Sequence, residues 1–137
     1  MVMANVSGIV FMLFLIAHAL VGVLMFAGRP KQAAPSWPSS KSWLFGAMGL
    51  AEDGQRRLAM IIMAIAALLL IGGALGVLGV PAIVDMWTWL VVAGAFISAL
   101  TLILYFSTWW LGGIAINAVL IVLILVFKWP TNEALGI

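Results

Sequence analysis

The sequence predicts an all-α fold: a polytopic membrane protein whose four transmembrane helices pack as an antiparallel bundle. Apolar residues make up 66% of the 137-residue chain and charged residues 7%, against about 45–50% and about 25% in soluble domains. The mean hydropathy is +1.30. The apolar residues gather into four continuous runs, at about residues 6–27, 58–79, 86–106 and 112–127, without the in-out alternation of a membrane barrel. At a rise of about 1.5 Å per residue each run can cross a hydrocarbon core of about 30 Å, the fourth being the shortest. Residues 1–137 therefore read as a single transmembrane domain, with little chain left for a separate catalytic one.

The first run, 6–27, is N-terminal and is followed by the small residues Ala27 and Gly28, which invites the reading of a secretory signal. It lacks a positive n-region, however, and its apolar stretch exceeds the usual h-region of about 7–15 residues. It reads as a helix that stays in the membrane.

The segment 28–57 is the only long connection and carries Arg29, Lys31, Lys41, Arg56 and Arg57, whereas the one other basic residue is Lys128. The positive-inside rule makes this loop cytoplasmic and puts both termini outside. Its first half, "RPKQAAPSWPSSK", has three prolines and no periodicity and is expected to be irregular. Its second half, "SWLFGAMGL", reads as a segment lying in the membrane interface, with Trp43 at headgroup level. Asp53 is expected as an N-cap or first-turn acid, a placement that the helix dipole favours.

"GVLGVPAIVD" ends the second helix with glycine then proline and starts the third near Asp85. "STWWLGG" turns the third helix into the fourth, with Trp109 and Trp110 at the interface. These short turns make helices 2, 3 and 4 consecutive antiparallel hairpins, and helix 1 closes the bundle.

Within the helices, small and polar residues mark the expected contacts. Gly72 and Gly76 have the GxxxG spacing that lets another helix approach closely. Gly94, Ser98, Thr101, Tyr105 and Thr108 are spaced 4, 3, 4 and 3 along the third helix and so share one face. His18 lies near the middle of the first run, and Asn117 and Thr101 fall at comparable depth. The expected intramembrane polar layer is His18, Thr101 and Asn117, with Tyr105 one turn away. An ionisable residue in hydrocarbon is a functional candidate by default. A neutral imidazole can nevertheless be satisfied by one hydroxyl or amide, so a structural bond from His18 to Thr101 or Asn117 is the leading expectation.

Residue counts exclude several chemistries. With no cysteine and a single histidine, zinc lacks ligands, and a bis-histidine haem would need a second subunit. The carboxylates Glu52, Asp53, Asp85 and Glu133 fall at helix ends or tails, away from His18, so no catalytic or metal-binding set is assigned and no cofactor is expected. Six basic residues are too few for a nucleic-acid surface.

"HALVG", "SWLFG", the Arg56/Arg57 start of helix 2, "MWTWL" and "GIAINAVL" together resemble a loosely defined group of uncharacterised small bacterial four-helix integral membrane proteins. The resemblance implies the same architecture and a bacterial inner membrane, and it supplies no catalytic residue. The functional expectation is a non-enzymatic accessory or scaffold subunit whose partners are the lipid bilayer and other membrane subunits or further copies of itself. A small oligomeric transporter or channel, using the polar seam of helices 1, 3 and 4, is the alternative. A haem- or quinone-associated redox subunit using His18 is the weaker one.

Overall fold

A computed structural model describes residues 5–27 and 41–137. The expectation for "RPKQAAPSWPSSK" falls almost wholly on residues outside the described ones. The chain is all-α, and its four long helices are apolar enough to span a membrane. It is an integral membrane protein.

Helix α1, Val6–Ala27, starts at Asn5, whose Oδ1 accepts from Gly8 N at 3.0 Å. This satisfies one of the orphan amides of the first turn. Helix α2, Trp43–Ala47, is a single short turn capped by Ser42, which accepts from Phe45 N at 3.2 Å. Helix α3, Glu52–Val77, begins six residues before the expected position 58. Glu52 and Asp53 occupy its first turn, where the dipole favours acids, and the N-cap position itself falls to Ala51. Arg56 and Arg57 are therefore helical rather than part of a loop. α3 ends at Val77 because Gly79 takes a left-handed φ of 80°. Val80 N then reaches back to Leu75 O at 3.3 Å, a Schellman closure that only glycine enters without strain.

A 3₁₀ turn, Val84–Met86, leads into α4, Trp87–Leu104. The helix stops at Tyr105, and Thr108 opens a second 3₁₀ turn, Thr108–Trp110, before α5, Leu111–Leu125. Thr108 is thus not on the face of α4 with Gly94 and Ser98, as its spacing had suggested, because the helix breaks before reaching it. A last turn, α6, Asn132–Leu135, is capped by Thr131 and ended by Gly136 at a left-handed φ of 80°.

The helices pack in the order α1, α3, α4, α5. α3 and α4 are central and each bury 39% of the residues in their apolar windows, while α1 and α5 bury 17% and 22%. α1 and α5, the two ends of this series, meet through side chains: His18 bonds Asn117, and Leu15 and Ala19 share a core cluster with Leu120 and Ile124.

Two apolar clusters fill the interior. One, nearer the α6 end, contains Leu15, Leu70, Trp87, Val91, Leu120 and Leu135. The other, nearer the α2 end, contains Phe26, Ala59, Met63, Leu102, Tyr105 and Trp110.

Candidate functional site

The boundary between those clusters is polar. His18 on α1 lies with Nε2 at 2.9 Å from Asn117 Oδ1 on α5, and Asn117 Nδ2 donates to Ser98 Oγ on α4 at 3.0 Å. Asn117 is fully buried and Ser98 nearly so. Each group is placed by its helix register: on α4, Ser98 falls between Ala95 of one cluster and Leu102 of the other. Because the Asn117 amide spends its donor on Ser98, its oxygen is the acceptor for His18, and the Nε2 atom of His18 carries the hydrogen. Phe14, one turn before His18, stacks on the imidazole with centroids 5.9 Å apart and planes at 7°.

Two of the four residues expected in this layer are engaged elsewhere. Thr101 is buried but donates to Ile97 O of its own helix at 2.7 Å, the back-bond that helical threonines readily make. Tyr105 lies at the α2 end, where its hydroxyl donates to Gln55 O at 2.6 Å. Both share a helical face with Ser98, as the spacing requires. Face alone does not choose among partners, and for each hydroxyl the nearest acceptor is a backbone carbonyl. Ser98, expected only as a packing residue, takes their place in the layer.

The packing glycines shift in the same way. A side chain at Gly76 would strike Trp87 Cβ, and one at Gly94 would meet Ala66 O and Leu70 Cγ, both at 2.9 Å. At Gly72, however, a Cβ would meet only Leu90 Cδ1 at an ordinary 3.5 Å, whereas one at Gly73 would collide with Val91 Cγ2. The close contact is therefore Gly73 with Gly76. The GxxxG spacing picked the right turn of α3 but the wrong one of two adjacent glycines.

Two polar clasps escaped the sequence reading. At the α2 end, the buried Gln55 accepts from Ser42 N at 2.8 Å and donates to Leu50 O at 2.6 Å, tying α2 to α3. A lone glutamine in the second turn of a helix carries no signal for this. At the other end, Asn5 N donates to Leu135 O and Asn5 Nδ2 to Ala134 O, each at 3.0 Å, and Trp87 Nε1 donates to Asn132 Oδ1 at 3.0 Å. Asn5 directly before an apolar run is a recognisable N-cap; its second role toward α6 is not local. Trp43, expected at headgroup level, donates its indole N–H to Ile103 O at 2.9 Å and so pins α2 to the end of α4.

Two hollows lie between α1 and α5, on either side of the His18–Asn117 bridge. A hollow of about 380 Å³ lies toward α6, walled by Phe11, Phe14, Val119 and Trp129. One of about 260 Å³ lies toward α2, walled by His18, Met25, Met63, Ser98 and Trp110, with Gly22, Gly112 and Gly113 leaving the room. Among the described residues, no three His, Cys, Asp or Glu side chains group as a metal site, and no buried side-chain nitrogen or oxygen lacks a partner. This arrangement can hold helices together and can receive an apolar body beside one imidazole; it offers no acid-base pair. No family model, curated protein or solved structure matches the chain.

Proposed function

We propose that this protein is a non-enzymatic membrane subunit that acts through helix contacts made by its two outer spans. The observation behind this reading is the unequal burial of the helices: α1 and α5 bury 17% and 22% of their apolar windows, against 39% for α3 and α4. The outer stripe of α1, with Val10, Leu13, Leu20 and Leu24 each at least half exposed, repeats at helical spacing and suits a second helix laid along it. Asn117, Ser98, Thr101 and Tyr105 bond within the chain, which supports a packing role over a conducting one; Thr101 and Tyr105 add no rung to a path across the bilayer.

The partner is another membrane subunit or a second copy, and the membrane is a bacterial inner membrane, as the resemblance implies. Segment 28–57 is cytoplasmic, supported by its five basic residues and the positive-inside rule. Mild-detergent extraction should retain a partner chain or a dimer, and Leu13→Trp should release it without lowering the thermal stability of this chain. A lone monomer in native membranes, or solute flux through vesicles containing this chain alone, would overturn the proposal. For orientation, cysteine at Ser39 should be shielded from an impermeant thiol reagent in intact cells and cysteine at Asn132 should react; the reverse pattern would invert the topology.

A further inference from the structure

We propose that the hollow beside His18 is a binding site for a lipid-soluble phenol or hydroquinone, held by its ring and by one hydroxyl. This reading is independent of the subunit role proposed above. It rests first on the unused side of the imidazole. With Nε2–H committed to Asn117, a neutral ring keeps an acceptor lone pair on Nδ1, and among the described residues no donor is bonded to it. Among the described residues no buried side-chain nitrogen lacks a partner, so Nδ1 is an accessible atom of a residue that lines the hollow.

Depth narrows the class of ligand. His18 lies near the middle of a 22-residue span, roughly half the hydrocarbon thickness from either surface. Phospholipid headgroups do not reach there, and acyl chains have no donor to offer. The complement to Nδ1 is a hydroxyl on a body that is itself soluble in hydrocarbon.

The walls favour an aromatic body over a plain chain. Met25 and Met63 present thioethers and Trp110 an indole around about 260 Å³. Sulfur–aromatic contacts and ring stacking both reward a flat, polarizable ring. Gly112 lines the hollow where a Cβ would meet nothing within 4 Å, which leaves room for it to enter from the bilayer beside α5. An oxidised quinone has only acceptor oxygens and cannot satisfy Nδ1, so the hydroxyl-bearing form is the one bound.

The test uses a lipophilic phenol carrying a photoactivatable diazirine, with its methyl ether and an aliphatic diazirine alcohol as comparisons, on the full chain in phospholipid vesicles. Cross-links mapped by mass spectrometry should fall on residues of the hollow. Phenol should exceed ether by about two- to tenfold, the worth of one neutral hydrogen bond. His18→Leu should erase that preference. Gly112→Leu places its side chain where a Cβ meets nothing within 4 Å and leaves the polar bridge intact; it should reduce phenol labelling of the hollow even if His18→Leu fails to fold. Equal labelling by phenol and ether, labelling spread over the lipid-facing surface, or an aliphatic alcohol labelling as well as the phenol would each overturn the proposal.

Discussion

Along α3 and α4 the backbones approach through Gly73, Gly76 and Gly94, with Trp87, Val91 and Leu70 filling the space, whereas α1 and α5 are joined through side chains by the His18–Asn117 bridge beside two hollows. In a bilayer the hydrophobic effect does not drive one apolar helix onto another; close packing and interhelical hydrogen bonds must do so. The central pair uses the first means and the outer pair the second. Contact between backbones has no tolerance for added volume. A single polar bridge does, and it leaves room beside it.

This contrast makes its largest prediction at Gly76. Gly76→Leu should force α3 from Trp87 and cost about 3 kcal/mol or more, the upper range for overpacking, seen as a large fall in thermal stability in detergent or loss of folded protein. Near-wild-type stability would mean that the central seam is as yielding as the outer one.

At the outer seam the losses should be smaller. Asn117→Leu removes both bonds of the bridge and should cost about 1–3 kcal/mol, the range for leaving a buried donor unsatisfied. His18→Ala keeps the Asn117–Ser98 bond and should cost about 0.6–1.7 kcal/mol, as cross-helix polar contacts in membranes do. The two are compared by denaturant titration in one detergent; a His18→Ala effect equal to that of Gly76→Leu would erase the distinction between the seams. The smallest effect belongs to Gly72→Ala, within about 0.5 kcal/mol of zero, because a Cβ there meets only an ordinary contact. A loss comparable to that of Gly76→Leu would put the close approach one residue away from where it is drawn here.

The residues also show what a sequence can and cannot convey. The four spans were legible because their composition is extreme, and their ends were legible to within a few residues wherever glycine or proline stops a helix, as at Gly79. The apolar run begins only at about residue 58, yet Asp53 was legible as a first-turn acid, and the helix dipole and the Gln55 clasp carry α3 through Arg56 and Arg57. The partner of His18 could be narrowed to Thr101 or Asn117 because so few polar side chains lie at that depth, and the structure chooses Asn117. Thr101, Tyr105 and Gly72 could not be sorted from Ser98 and Gly73 by spacing, since neighbours on one face or one turn differ only in what the opposing helix presents. Nor could spacing reveal how α1 meets α5, because short turns fix which neighbours follow each other and not which side chains join the ends of the series.

The clasp of Asn5 on Ala134 and Leu135 sets an order of assembly. Among the described helices, α1 precedes the others in the chain, yet it gains its N-terminal anchor only from α6. Until α5 has crossed and α6 has arrived, α1 has its contacts with α3 and α4 but not this anchor. The clasp encloses all four spans in one loop, whose closure entropy rises only slowly with length, so its cost is mainly one of waiting. Among the described spans, α1 is therefore the one whose N-terminal contact waits longest for its partner.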